Sequence, residues 1–170
     1  MKTMLSGQLF CALTLSLLCF QGCNSGKKGI DAPSFILPAA TSRDIVSLYD
    51  YRDRPAVVIF MSIDCPYCKQ AMPFLNSLPG RYTKDGLAVI GICPDPPEAP
   101  YRDFVASYNP SFPLLVDKDR EIKKQYGARG FPYLYLLDSR HKIYKVLPGY
   151  NPNADAMLYR EIDTMLAAGK

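Results

Sequence analysis

The distribution of apolar and polar residues predicts strands and helices that alternate along most of the chain. Pro55–Ile63 contains the unbroken apolar run Val57–Met61, which is typical of a central strand buried on both faces. A second apolar run, Leu87–Cys93, predicts another strand of this kind. Between the two runs, apolar residues at helical spacing predict a helix from Pro66 to about Leu78.

The remaining predicted elements are shorter. Pro94–Pro100 is rich in proline and predicts a loop, and Asp138–Lys142 predicts the turn of a hairpin. The others are an extended segment at Ala32–Pro38, strands at Ile45–Tyr49, Leu114–Val116, Tyr133–Leu137 and Ile143–Leu147, helices at Tyr101–Tyr108 and Arg120–Tyr126, and a final helix from Asn151. This order predicts one α/β domain without internal repeats.

The N-terminal segment has the features of an export signal. Lys2 precedes the apolar run Leu9–Phe20, which suits a signal peptide and is too short to span a membrane. Gln21-Gly22-Cys23 then resembles the lipobox of bacterial lipoproteins, in which the cysteine is acylated and becomes the mature N-terminus. We therefore expect a signal peptide at 1–22, a flexible tether at 23–31 and a domain at 32–170. The alternative is an ordinary cleaved signal peptide with an unmodified Cys23.

Composition narrows the classes of function. Hydrophobic residues make up 48% of the chain, with 12 tyrosines and 8 phenylalanines, so a large core can form without structural disulfides. The net charge is +4, and because basic and acidic residues are interspersed, no basic patch indicates a nucleic-acid partner. The single histidine, His141, limits metal chemistry, and its place in a hairpin turn predicts a solvated side chain.

Two of the six cysteines stand where a predicted strand gives way to a helix. Cys65 and Cys68 are separated by Pro-Tyr, and a thiol in the first turn of a helix lies beside unpaired N–H groups and the positive end of the helix dipole. That environment favours the reactive thiolate, and a second thiol one turn further can attack a mixed disulfide formed by the first. We therefore interpret them as a redox pair.

These features together resemble the thioredoxin superfamily. The resemblance rests on the element order, on Cys65-Pro66-Tyr67-Cys68 with Pro73 five residues later, and on Gly130-Phe131-Pro132 before a strand. The N-terminal extended segment, the loop after Cys93 and the exported tether resemble the TlpA-like redoxin branch, whose members are thiol–disulfide oxidoreductases outside the cytoplasm. The resemblance implies a thioredoxin-like fold with a central mixed sheet flanked by helices.

The resemblance also implies roles for individual residues. Cys65 would be the nucleophile, Cys68 the resolving thiol, and Pro132 a cis-proline that faces the pair. The positions that would bind substrate are Pro66, Tyr67, Phe131 and Pro132. Substrates would be protein disulfides or dithiols, a separate redox partner would recharge the pair, and neither a cofactor nor a metal is expected. The protein would lie in the bacterial cell envelope, anchored through Cys23 and facing the periplasm.

The sequence departs from the family at the positions that handle protons. Ile59 stands where thioredoxins have an acid, and Ala71 stands where many TlpA-like proteins have a glutamate. Asp64 replaces the usual tryptophan, and its negative charge would oppose a thiolate on the next residue. Asp95 or Glu98 could carry the proton instead, or could simply be solvated loop acids.

Cys93 is a further candidate redox group. It ends the second predicted strand, which should run parallel to the first, so a third thiol would lie near the active pair and could exchange with it. The alternative is a small buried residue at the end of a strand.

Three other functions fit parts of the sequence. Ser62 lies three residues before Cys65, as a threonine does in peroxiredoxins, although Val58 replaces the proline that those enzymes require. A surface lipoprotein could use Cys65 and Cys68 as a structural disulfide. The pair could also be half of a zinc site, but no second Cys-x-x-Cys follows. Copper binding occurs in proteins with a similar fold, but it requires a wider cysteine spacing and a histidine ligand.

Overall fold

The computed structural model describes residues 29–94 and 98–169, so the predicted signal peptide and Cys23 lie outside the described residues. Within this part of the chain, no helix is long and apolar enough to cross a membrane. The strands are β1 (Ile36–Pro38), β2 (Ile45–Ser47), β3 (Ala56–Phe60), β4 (Ala88–Pro94), β5 (Leu114–Asp117), β6 (Tyr133–Leu137) and β7 (Ile143–Pro148). The helices are α1 (Pro66–Arg81), α2 (Glu98–Tyr108), α3 (Glu121–Tyr126) and α4 (Asp155–Ala168).

The main sheet has five strands in the order β5-β4-β3-β6-β7. Strands β3, β4 and β5 are parallel to one another, β6 is antiparallel to β3, and β7 is antiparallel to β6. β1 and β2 form a separate two-stranded sheet. Phe60, the last residue of β3, lies opposite Ile92 of β4 on one side and Tyr133 of β6 on the other. The predicted mixed sheet and its parallel central pair are therefore confirmed.

The sheet separates two hydrophobic cores, because alternate residues of β3 face opposite sides. Val57 and Ile59 contribute to the core formed with α1, α2 and α4, here called the α1-side core. Val58 and Phe60 contribute to the core formed with β1, β2 and α3. Every residue of β3 is buried, as the continuous apolar run predicted.

Several boundaries differ from the predictions. β2 ends at Ser47 and is followed by a 3₁₀ helix at Leu48–Tyr51, and α4 begins at Asp155 after a 3₁₀ helix at Pro152–Ala154. α1 continues past Leu78 and through Pro79 to Arg81, where the Arg81 guanidinium lies 4.3 Å from the centre of the Tyr159 ring on α4. α2 begins at Glu98, so the predicted loop is wrong for its last three residues. Pro100 is tolerated there because N–H groups in the first helical turn have no intrahelical acceptor.

Residues before β1 contact the β6–β7 hairpin. The Ile143 N–H donates to the Ile30 carbonyl at 2.8 Å, and Lys142 Nζ forms an ion pair with Asp31 at 2.6 Å. His141 Nε2 lies 3.0 Å from the Tyr51 carbonyl, which can only accept, so this nitrogen carries a proton. The prediction of a solvated His141 is therefore wrong, because its ring is partly buried and hydrogen-bonded.

Two glycines test how tightly the sheet and α1 are packed. A Cβ on Gly91 would lie 2.5 Å from Leu114 Cδ2, whereas a Cβ on Gly80 of α1 would have no atom within 4 Å. We expect Gly91→Ala to lower the free energy of unfolding by about 1–3 kcal/mol through overpacking. Gly80→Ala should raise it by about 0.5–1 kcal/mol, because alanine is the better helix former. Urea denaturation measures both, and equal effects would contradict this description of the packing.

Candidate functional site

Cys65 is held at the N-terminus of α1 by local backbone geometry. It is the N-cap residue, with φ −78° and ψ 117°, and its Sγ accepts a hydrogen bond from the Cys68 N–H at 3.4 Å. Pro66 fills the first helical position, where a missing N–H costs nothing. Negative charge that forms on Cys65 Sγ therefore meets a backbone donor and the positive end of the helix dipole.

Cys68 lies one turn further along α1 in a different environment. It is fully buried, whereas Cys65 is partly exposed. Burial is the main reason that the pKa of the Cys68 thiol is raised well above its usual value. A backbone hydrogen bond at Ser62 offsets a part of this rise, while the thiols of Cys65 and Cys93 add to it. Cys65 is thus the accessible thiol, and Cys68 is held as the protonated form.

The Phe131–Pro132 segment forms the opposite wall of the site. Its peptide bond is cis, and the Cys65 thiol donates to the Phe131 carbonyl at 3.5 Å. The Phe131 ring is half-buried, and Lys123 Nζ lies 5.0 Å from its centre. Because Pro132 precedes β6, the pairing of β6 with β3 brings this segment to the start of α1. The predicted cis-proline facing the cysteines is present.

Pro66 and Tyr67 lie on the exposed rim beside Cys65. Tyr67 is 58% exposed, a large apolar surface next to the accessible thiol. Of the four residues that the resemblance suggested for substrate binding, Pro66 and Tyr67 follow Cys65 on α1, whereas Phe131 and Pro132 belong to the segment that Cys65 contacts from the other side.

Cys93 lies at the same edge of the sheet but beneath the surface. Only 1% of it is exposed, and it belongs to the α1-side core together with Cys68 and Tyr101. Burial raises the pKa of Cys93 to about 12, and the Tyr101 hydroxyl partly opposes this rise. The prediction that the ends of the two parallel strands bring Cys93 near the active pair is consistent with the electrostatic effect of Cys93 on Cys68.

The groups that shift the pKa of Cys68 include no carboxylate. Ile59 and Ala71, at the positions where relatives carry acids, are completely buried. Asp64 is exposed, Asp95 lies outside the described residues, and the side chain of Glu98 is not among those described. Burial, rather than an acidic neighbour, is therefore the main reason that the pKa of Cys68 is raised and that Cys68 is the less reactive of the two thiols.

Sequence reasoning missed two residues near the site. Tyr101 is the first residue of its predicted helix. It lies three residues before Phe104, a helical spacing that fits a core position for both residues but does not indicate that Tyr101 faces Cys93. Lys123 lies on α3, and no pattern in the sequence indicated its contact with Phe131. In each case the two residues are close in sequence but lie on different segments of the fold, so the contact depends on how those segments pack.

The fold, a cysteine pair at a helix start and the facing cis-proline define a redoxin of the thioredoxin superfamily, which confirms the resemblance. The AhpC/TSA family matches residues 29–146, and the chain belongs to this family.

Individual relatives agree with this assignment. The thiol–disulfide oxidoreductase ResA of Bacillus subtilis is 27% identical over 143 residues, covering 83% of this chain and 79% of that protein. A Mycobacterium tuberculosis protein provisionally named a peroxiredoxin is 44% identical over 111 residues, covering 63% of this chain and 68% of that protein. A Chlorobium tepidum structure, provisionally named the thiol:disulfide interchange protein DsbE, superposes with a TM-score of 0.76 at 27% identity. The superposition covers 82% of this chain and 97% of the Chlorobium tepidum chain.

The raised pKa of Cys68 predicts a steep pH dependence for its attack on a disulfide at Cys65. With a chromophoric aromatic thiol attached to Cys65, release of that thiol should accelerate about tenfold per pH unit from about pH 7 to 10, beyond the pH at which an ordinary thiol is half ionised. The reason is that the thiolate fraction of Cys68 rises tenfold per unit below its pKa. Stopped-flow absorbance measures the release. Cys68→Ser should hold the adduct at every pH, and a rate that levels off at or below about pH 9 would contradict the raised pKa.

Proposed function

We propose that this protein is an exported thiol–disulfide oxidoreductase that exchanges disulfides with protein substrates through Cys65 and Cys68. The observation that carries the proposal is the contrast between the two thiols. Cys65 is accessible at a helix N-terminus and faces the Phe131 carbonyl, whereas Cys68 is buried one turn behind it. Similarity to ResA-type and DsbE-type proteins supports the same chemistry.

In the first step, the Cys65 thiolate attacks one sulfur of a substrate disulfide. The substrate S–S bond breaks, a mixed disulfide forms at Cys65, and the other substrate sulfur leaves as a thiolate. The Cys68 N–H, which contacts Cys65 Sγ at 3.4 Å, stabilises the attacking sulfur while it carries charge. Because Cys68 remains protonated, it does not compete with Cys65 as the nucleophile.

In the second step, Cys68 loses its proton and attacks Cys65 Sγ. The mixed disulfide breaks, the second substrate thiolate leaves, and a Cys65–Cys68 disulfide forms. Two electrons have then moved from the dithiol to the substrate, and the reverse sequence oxidises a substrate dithiol. The proton of Cys68 passes to solvent, since no carboxylate shifts the pKa of this thiol.

Substrate recognition is proposed for the two walls around Cys65. Tyr67 offers an exposed aromatic face on the helix side, and Phe131 offers its ring and backbone on the other. An extended polypeptide can lie between these walls, with its disulfide at Cys65 and its backbone beside Phe131. Such a groove fits a protein substrate better than a small molecule.

Cysteine variants separate this function from a structural disulfide. We expect Cys65→Ser and Cys68→Ser each to reduce the rate of insulin disulfide reduction by at least about a hundredfold, because each removes one sulfur of the cycle. Cys93→Ser should retain most of the activity, since Cys93 takes part in neither step. The measurement is insulin turbidity with dithiothreitol as reductant. Full activity in Cys65→Ser would refute the proposal, and a loss in Cys93→Ser equal to that in Cys68→Ser would make Cys93 part of the basic cycle.

Peroxide reduction is the second candidate, favoured by the 44% identity to the provisionally named peroxiredoxin. Against it stand Val58 at the position where peroxiredoxins need proline and the immediate disulfide partner Cys68 beside Cys65. Turnover of hydrogen peroxide with dithiothreitol distinguishes the two functions. Peroxide consumption that far exceeds insulin reduction by the same sample would favour the second candidate.

Export and anchoring are proposed from the lipobox-like segment that ends in Cys23. Several acyl chains on one residue hold a protein to a bilayer far more stably than one chain does. In a bacterial host, the full chain should therefore sediment with membranes, and Cys23→Ser should move it to the soluble fraction or leave the precursor uncleaved. Mass spectrometry of the mature N-terminus provides the direct measurement. An unmodified N-terminus elsewhere than Cys23 would contradict the anchor.

A further inference from the structure

Cys93 and Tyr101 form a buried polar pair behind the active cysteines that the two-step cycle does not use. Cys93 is 1% exposed and Tyr101 is 3% exposed, and both belong to the α1-side core that contains Cys68. The Tyr101 hydroxyl is buried without a hydrogen-bond partner. Burying an unpaired hydroxyl is costly, so a tyrosine here calls for an explanation that phenylalanine would not.

The sheet register accounts for the position of Cys93. The Met61 N–H donates to the Ile92 carbonyl at 2.9 Å, which fixes the end of β4 against the segment leading to Cys65. Ile92 faces the α3 side of the sheet, so the next residue, Cys93, faces α1 and the first turn that carries Cys68. Cys93 is also among the groups that raise the pKa of Cys68, in agreement with this placement of both thiols on the α1 side of the sheet.

The Tyr101 hydroxyl faces the Cys93 thiol from α2. The interaction of this hydroxyl with the Cys93 sulfur favours the Cys93 thiolate, although the two groups do not reach hydrogen-bond geometry. A small movement would allow the O–H to donate to a sulfur that carries charge. Cys93 therefore has a neighbouring sulfur to react with and a donor that would stabilise its reactive form.

We propose that Cys93 is a second disulfide partner of Cys68, so that the oxidised protein can transfer its disulfide from Cys65–Cys68 to Cys68–Cys93. This inference rests on the proposed function, which supplies the Cys65–Cys68 disulfide. The Cys93 thiolate attacks Cys68 Sγ, the Cys65–Cys68 bond breaks, and a Cys68–Cys93 bond forms. Cys65 leaves as a thiolate, solvent carries the proton lost by Cys93, and no net oxidation occurs.

The rearranged form would have a distinct chemistry. Its disulfide is buried in the α1-side core, while Cys65 is a free thiol at the surface. Cys65 can then attack a substrate disulfide, but Cys68 is occupied and cannot release the mixed disulfide. The substrate remains attached until one of its own thiols attacks, which is the order of events that rearranges incorrect disulfides in a substrate protein.

An irreversible trap tests the rearrangement. The chain is oxidised with glutathione disulfide, freed of excess oxidant and incubated with iodoacetamide under native conditions, and peptide mapping then assigns every label and disulfide. We expect label to accumulate on Cys65 together with a Cys68–Cys93 disulfide, at a rate independent of protein concentration. Persistence of Cys65–Cys68, with label on Cys93 or on neither residue, would overturn the inference. A rate proportional to protein concentration would also overturn it, because exchange would then occur between molecules.

Three variants sharpen the test. Cys93→Ala should take no label on Cys65, because the domain at 32–170 then contains no third thiol that can displace it. Tyr101→Phe should slow the labelling of Cys65 by about tenfold through the loss of a donor to the thiolate, without slowing insulin reduction. Tyr108→Phe on the same helix is the matched control and should label at the wild-type rate. Equal rates in wild type and Tyr101→Phe would remove Tyr101 from the proposal.

The two proposals fail in different ways. If the oxidised chain contains a Cys65–Cys68 disulfide and reduces insulin but never exposes Cys65 to iodoacetamide, only the rearrangement is refuted. If oxidation yields no Cys65–Cys68 disulfide, the proposed function fails, and the rearrangement fails with it.

Discussion

The site depends on the register of β3 against the strands on both sides of it. Phe60 lies opposite Ile92 of β4 and Tyr133 of β6. Cys93 directly follows the first of these partners, and Pro132 directly precedes the second. A slip of one residue would move every side chain of β3 to the opposite face. Because both faces of β3 are buried, the two cores fix the register and with it the approach of three distant segments.

Within this framework, burial sets the chemical contrast between the two thiols. Cys65 and Cys68 differ by only three positions, yet one caps the helix at the surface and the other lies inside the α1-side core. Ile59 and Ala71, where the resemblance led us to expect an acid, are apolar and completely buried. The pKa of the Cys68 thiol is therefore raised mainly by desolvation, with a smaller contribution from the neighbouring sulfur atoms.

The sequence predicted the elements that carry strong local signals. Val57–Met61 could only be a buried strand, the β6–β7 hairpin followed from its turn residues, and Gly127 ends α3 with φ 71°, as a C-terminal glycine should. The cysteine pair and the cis-proline were predicted from motifs. Contacts between separate elements were not, since the hydrogen bond of His141 to the Tyr51 carbonyl and the approach of Tyr101 to Cys93 depend on tertiary packing. The start of α2 at Glu98 was not predicted, because the prolines before Tyr101 indicated a loop, although the first helical turn tolerates proline.

The central claim is that Cys65 and Cys68 form one reversible redox couple, and a redox titration tests it most directly. The protein is equilibrated with mixtures of reduced and oxidised glutathione, quenched with acid, and its free thiols are alkylated and mapped. We expect Cys65 and Cys68 to become oxidised together in a single two-electron transition, with the same midpoint when it is approached from either direction. A stable glutathione adduct on Cys65 while Cys68 remains a free thiol, or a Cys65–Cys68 disulfide that no glutathione mixture or dithiothreitol reduces, would contradict the claim.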